Sequence, residues 1–159
     1  MASETHLKKN DKFILDGFNS YTCNRQNAAM GGVATSVIDK YAYNTLKVCE
    51  GKSEEFLIIR LGFFEPAINI INYYDKQETK QTSKEINEGW EEIRTEIDNI
   101  KAKNETYVLA GDLNRHLGSY IPGNNPKVST AGKLLIEFLE DEENILVNST
   151  GMRNISEIF

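Results

Sequence analysis

Apolar residues come in short runs over the first half of the chain and at helical spacing in the second. Lys12-Phe13-Ile14-Leu15, with the turn signal Asp16-Gly17 behind it, predicts a first strand. Gly31-Gly32-Val33-Ala34-Thr35-Ser36-Val37 is small and β-branched, follows the polar stretch Asn24 to Asn27, and predicts a second. Glu55 to Leu61 and Ala67 to Tyr74 are two rich apolar runs separated by Gly62-Phe63-Phe64-Glu65-Pro66, which predicts a hairpin. Their near-continuous apolar character predicts central strands, buried on both faces.

The next segment changes period. Thr82 and Glu85 have the spacing of a capping box, and Ile86, Trp90, Ile93, Ile97 and Ile100 follow in steps of four, three, four and three. Those steps put all five on one helix face, with Gly89 a local weakness. Thr106-Tyr107-Val108-Leu109-Ala110 predicts a short buried strand running into Gly111-Asp112-Leu113-Asn114. A loop follows from His116 to Ser129, centred on Pro122 to Pro126. Leu134, Leu135, Phe138 and Leu139 predict a second helix, and Asn144-Ile145-Leu146-Val147-Asn148 a last strand. No repeat, linker or domain boundary interrupts this order, so the class expected is α+β, with sheets forming the core and helices covering it.

Composition narrows the picture without naming a function. The 159 residues, 40% hydrophobic, suit one globular domain and are too apolar for a disordered chain. No run reaches the ~18 apolar residues of a membrane span. Met1 to His6 has neither the basic nor the apolar region of a secretory leader, so none is expected. Cys23 and Cys49 form no CxxC pair and read as buried thiols in a reducing compartment. The net charge of −6 argues, taken globally, against a nucleic-acid partner.

Candidate chemistry gathers at Gly111-Asp112-Leu113-Asn114. A carboxylate ending a strand, with a carboxamide two residues on, places both groups on one side of the chain. The preceding glycine admits a closely approaching backbone or ligand. Such a pair can bind a metal ion or orient water for attack on a phosphoryl or acyl group, and it equally suits a plain turn. Tyr74 closes the longest apolar strand, where a phenol can donate to an anionic oxygen or serve only as a sheet aromatic. Tyr73 points to the opposite face, as a core residue. By itself Glu4, in Ser3-Glu4-Thr5-His6-Leu7, reads as a solvated carboxylate, and His6 and His116 as isolated histidines.

Taken together, these segments resemble the endonuclease/exonuclease/phosphatase family, in the form found in endonuclease domains of non-LTR (LINE-type) retrotransposons. Ser3 to Leu7 resembles the family's metal-binding glutamate block, and Gly31-Gly32-Val33-Ala34 its glycine-rich strand. Ile70 to Tyr74, continued by Gln77-Glu78, resembles the strand ending in its active-site tyrosine. Gly111-Asp112-Leu113-Asn114-Arg115-His116-Leu117-Gly118 resembles its Gly-Asp-(Phe/Leu)-Asn block in retrotransposon form. Gly132 to Leu135 and Val147 to Thr150 resemble the helix and strand that come after. The blocks appear in the family's order over most of the chain.

This resemblance implies a four-layered α/β sandwich of the DNase I-like type. It implies phosphodiester hydrolysis with Mg²⁺, or Mn²⁺ in its place, and the nicking of DNA. It makes Glu4 the metal ligand and Asp112 the group that orients and deprotonates the attacking water. Asn114 would hold the phosphate or that water, and Tyr74 would hydrogen-bond a phosphate oxygen. It implies an intracellular, nuclear protein with DNA as partner, no membrane, and a reverse transcriptase domain in the parent polypeptide. The family's opening strand with its asparagine and its closing Ser-Asp-His block have no counterpart in residues 1–159, so the expected domain is partial and its own activity weak or absent. A catalytically dead binding remnant, or a phosphatase or phosphodiesterase acting on a small substrate, remain the other readings.

The distribution of charge weakens the objection to DNA. Glu85, Glu88, Glu91, Glu92, Glu96, Asp98 and Glu105 face only Arg94, Lys101 and Lys103 over residues 85–105. Glu137, Glu140, Asp141, Glu142 and Glu143 have no base among them, so the rest of the chain is net positive. The acidity is expected on solvated outer faces of the two helices.

Overall fold

The computed structural model describes residues 1–24, 31–51, 55–76, 82–120 and 127–141. The chain divides into two units, Met1–Asn114 and Arg115–Phe159. In the first unit, β1 (Ala2–Ser3), β2 (Phe18–Cys23) and β3 (Val33–Ile38) form an antiparallel sheet in the order β1-β3-β2. A second sheet runs in the order β4 (Thr45–Glu50), β5 (Phe56–Leu61), β6 (Ile68–Tyr74) and β7 (Thr106–Asp112). Its first three strands are antiparallel, whereas β7 lies parallel to β6. The short helix α1 (Asp39–Ala42) joins β3 to β4, and α2 (Ser83–Lys101) joins β6 to β7.

Alternation along β5 and β6 sorts their side chains between two interfaces. Leu57, Ile59 and Tyr74 pack with Cys23 and Val33 of the first sheet, ringed by Tyr21, Val37, Leu61 and Ile70. The two sheets therefore meet face to face. The other face of β6 carries Tyr73, which meets Trp90 of α2 edge-on with ring centroids 5.5 Å apart. All five apolar residues expected on one face of α2 are buried, each contributing about 1.5–3 kcal/mol of burial. Gly89 serves this contact, since a Cβ there would stand 3.2 Å from the Tyr73 hydroxyl. The capping box is formed: Thr82 Oγ1 accepts from the Glu85 amide and the Glu85 carboxylate accepts from the Thr82 amide.

The arrangement is α+β, and the β5–β6 hairpin is central in its sheet, as the apolar runs predict. Other expectations need correction. Lys12–Leu15 is not a strand: Ile14 is 83% exposed, and Leu15 bridges Phe18 across the Asp16-Gly17 turn. The strand lies after that turn, where Phe18–Cys23 pairs along the whole of β3. β4 is also absent from the sequence reading. Its alternation is broken by a bulge between Lys47 and Cys49, so Lys47 reaches the Thr22 carbonyl of the first sheet while Cys49 lies against α2. β7 is not a buried strand. Among the described residues it is the edge of its sheet, and Val108 is 47% exposed.

The acidic face of α2 is only partly solvated. Glu92 and Glu96 are half-buried and act on Cys49. Glu105, beyond the helix, accepts from Arg60 Nε (2.8 Å) and Asn69 Nδ2 (2.9 Å).

In the second unit, a bridge between Leu117 and Val128 closes the base of the predicted loop, followed by α3 (Thr130–Asp141). Ser129 Oγ accepts from the Gly132 amide, and a Cβ on Gly132 would lie 2.2 Å from the His116 carbonyl. Leu135, Phe138 and Leu139 are buried together with Ala131, while Leu134 is only half-buried. Among the described residues the acids of this helix, Glu137, Glu140 and Asp141, are exposed. The loop centre at Pro122 to Pro126 and the predicted strand at Asn144 to Asn148 lie outside the described residues. No described helix is long and apolar enough to cross a membrane.

Candidate functional site

Parallel pairing brings the C-terminal ends of β6 and β7 to the same edge, with Tyr74 opposite Asp112. Registered partners lie side by side across the ladder, so Tyr74 and Asp112 end their strands at one place. Beyond them the backbones stay joined, as the Asp75 amide donates to the Asp112 carbonyl at 2.9 Å. Gly111 makes the approach possible. Its φ of +136° disfavours a side chain, and a Cβ would stand 2.0 Å from the Tyr73 carbonyl oxygen. The close backbone approach expected at this glycine is that of β6.

The N-terminal segment supplies the third group. After β1 the Thr5 and His6 amides donate to the carbonyls of Gly32 and Gly31, at 3.2 and 3.0 Å. Between and beyond β1 and those bonds, Glu4 and His6 take positive φ values of 53° and 54°. Left-handed backbone at non-glycine residues costs roughly 1–3 kcal/mol and persists only where surrounding contacts impose it. Here they aim Glu4 at β6: the Tyr74 hydroxyl donates to Glu4 Oε1 at 2.5 Å. The ring of Tyr74 sits in the core between the sheets, 7% exposed, while its hydroxyl reaches the half-buried Glu4. Tyr74 is thus both the sheet aromatic and the polar strand end of the sequence reading.

Asn114 departs from strand geometry. Its φ is +46°, so simple alternation does not place it beside Asp112. The chain turns instead. The Asn114 amide donates to Asp112 Oδ1 at 3.2 Å, and its Nδ2 donates to the Asp75 carbonyl at 2.8 Å. The turn and the polar cluster are one structure: the carboxylate holds the turn, and the turn carries the carboxamide across to the end of β6. Glu4, Tyr74, Asp112 and Asn114 are therefore linked, directly or through neighbours, although they span the first unit. Asp112 is exposed.

Two acidic neighbours are absent from the sequence reading. Asp75 is fully buried, and buried Glu55 holds Lys76 in an ion pair of 2.5 Å. Glu55 opens an apolar run, and that position is its sole sequence signal. His6 is exposed in the loop after β1, and His116 lies in the other unit. Cys23 is buried in the core. Cys49 is half-buried, and burial together with Glu96, Glu92 and Glu50 pushes its thiol up to about 11. It is held protonated and unreactive at neutral pH.

No group of three or more His, Cys, Asp or Glu side chains able to hold a metal is present among the described residues. Mg²⁺ asks for less, being held by one or two carboxylates while keeping several waters. Glu4 has a second carboxylate oxygen beyond the one bonded to Tyr74, and exposed Asp112 with the Asn114 carbonyl adds hard oxygen donors. The donor chemistry fits such a cation. No protein-family model matches the chain, and no curated protein matches it.

Proposed function

We propose that these residues belong to a DNase I-like sandwich domain that hydrolyses phosphodiester bonds with Mg²⁺, nicking DNA as the endonuclease of a retrotransposon-like protein, with activity weak or absent in residues 1–159 alone. The observation that carries this reading is the bond from Tyr74 to Glu4, made beside Asp112 at one sheet edge by residues 70 positions apart. Two sheets packed face to face, one of them backed by α2, are consistent with the layered fold. Two of the four non-glycine residues with positive φ among the described residues, Glu4 and Asn114, belong to this cluster, and such strain is typical of functional sites.

Glu4 would hold the divalent cation. When bound, that ion neutralises charge on the phosphate and its leaving oxygen. Asp112, exposed and anchored through the Asn114 amide, takes the proton of the attacking water as general base. Asn114, fixed through Asp75, orients that water or a phosphate oxygen. Tyr74 has a single proton, committed here to Glu4. Released from Glu4, that hydroxyl would donate to a phosphate oxygen. The partner is then DNA, and the place of action is the nucleus.

A supercoiled plasmid with Mg²⁺ tests this. In the parent domain that contains residues 1–159, nicking is expected to fall by about 10²–10⁴-fold in Asp112→Ala. Equal nicking by both proteins removes Asp112 from the mechanism. Plasmid retention without nicking favours a binding remnant instead, and turnover of a small phosphate ester without nicking favours a phosphatase.

A further inference from the structure

Asn72 is the least expected residue of the core. It is 0% exposed, lies two positions before Tyr74 on the same face of β6, and pairs across the strand with Leu57. Its Oδ1 has no hydrogen-bond partner among the described residues, a desolvation cost that an apolar side chain of the same volume avoids. Packing alone therefore favours leucine at this position. Its Nδ2, by contrast, is fully engaged: it donates to the Ala34 carbonyl (2.9 Å), Thr35 Oγ1 (3.2 Å) and the Ala2 carbonyl (3.3 Å).

These bonds cross from the second sheet to both β1 and β3. Ala2 stands two residues before Glu4, and the Thr5 and His6 amides bond Gly32 and Gly31 just after it. Glu4 is thus bracketed on both sides. One bracket is the backbone pairing of the first sheet with itself, which fixes Glu4 relative to β3 only. The other is the Asn72 carboxamide, which fixes the segment relative to β6, the strand that bears Tyr74. Two residues of extended strand span about 6–7 Å, so one side chain and the next on the same face act on positions two residues apart in both strands.

We infer that Asn72 is a positioning residue: through the Ala2 carbonyl it sets the Glu4 carboxylate against the Tyr74 hydroxyl. This rests on the reading of Glu4 and Tyr74 as a working pair, but its test is read from stability and needs no nuclease activity. In the 159-residue chain, Tyr74→Phe, Glu4→Met and their double variant form a cycle in urea that isolates the coupling of the pair, since neither replacement keeps a donor or acceptor there. A hydroxyl–carboxylate bond of this kind is expected to couple them by about tenfold or more in the unfolding equilibrium. Repeated in an Asn72→Leu background, the coupling is expected to collapse toward onefold. A purely structural role lowers stability in that background yet leaves the coupling intact, and that result overturns the inference.

Should Asn72→Leu fail to fold, a second measurement needs no variant at Asn72. Nuclear Overhauser cross-peaks between the Asn72 side-chain amide protons and the Ala2 α proton are expected in the native chain and again in Tyr74→Phe. Their presence in both shows that the clasp stands without the bond it positions. Their absence from the native chain, or their loss in Tyr74→Phe, overturns the proposal. Retained coupling in the Asn72→Leu background refutes the role of Asn72 alone, whereas collapsed coupling with equal nicking by the parent domain and its Asp112→Ala variant refutes only the enzymatic reading.

Discussion

Tyr73 and Tyr74 are adjacent in the chain and belong to different regions. Tyr73 meets Trp90 at an interface built from one helix, one sheet face and apolar spacing. Tyr74 meets Glu4 at an edge built from a strand end, a turn and the N-terminal segment. The first region keeps regular backbone and buries its side chains fully. The second gathers positive φ values at Glu4 and Asn114, with a half-buried carboxylate and an exposed one. Stability lies in the region where local preference and tertiary packing agree, and the candidate chemistry in the region where packing overrides local preference.

The comparison can be broken or sharpened by substitution. Trp90→Ala is expected to have the largest effect on stability, about 3–5 kcal/mol, through the cavity it leaves against Tyr73. Urea unfolding measures it, and a loss below ~1 kcal/mol would contradict the close packing of that face. Tyr74→Phe keeps the ring in the core and removes only the bond to Glu4, so the expected loss is about 1.5–3 kcal/mol. Urea unfolding of the native chain and of Tyr74→Phe measures it, and equal midpoints would show that the bond to Glu4 adds nothing to stability. Thr82→Ala removes one half of the capping box and is expected to cost about 1 kcal/mol, lowering helix content near residue 82 without altering the site edge.

The smallest effect is a pH dependence at Glu105. Its carboxyl is held below the usual 4.5 by the hydrogen bond from Arg60 first and from Asn69 next. A depressed folded value means that the contribution is fully present above the unfolded value. It is lost as pH falls through the folded one. Below pH 4.5 the urea midpoint of the native chain is therefore expected to fall more steeply than that of Glu105→Gln. Parallel slopes would show that the Arg60 pair does not distinguish the two ionisation states.

How much of this was legible differs between the regions for a physical reason. The periodicity of α2 and its Thr82–Glu85 box depend on residues at most four apart, and they predicted the helix and its buried face. Phe18–Cys23 was missed because its polar residues acquire strand character only by pairing with β3. The more apolar Lys12–Leu15 reads as a strand but has no partner strand among the described residues. The bulge in β4 hides its alternation, and the edge position of β7 is a property of the sheet rather than of Thr106–Asp112. At the site, Asp112 and Asn114 were visible as a motif and Tyr74 as a strand end. Asp75 and Glu55 were not, since a carboxylate at the end of an apolar run is buried only where distant chain segments cover it.

By itself the sequence determined what local periodicity and short-range hydrogen bonding can determine: the long helix, its cap, the central hairpin and the strand that runs into Asp112. Resemblance to a family added candidate residues, Glu4 among them, without placing them. Only the tertiary structure decided that Glu4 faces Tyr74 from 70 residues away and that Asn114 turns back over Asp75. It also decided that a buried carboxamide at Asn72 ties the two sheets together. Those contacts depend on how two sheets meet, and such long-range pairing leaves no periodic trace in either segment that makes it.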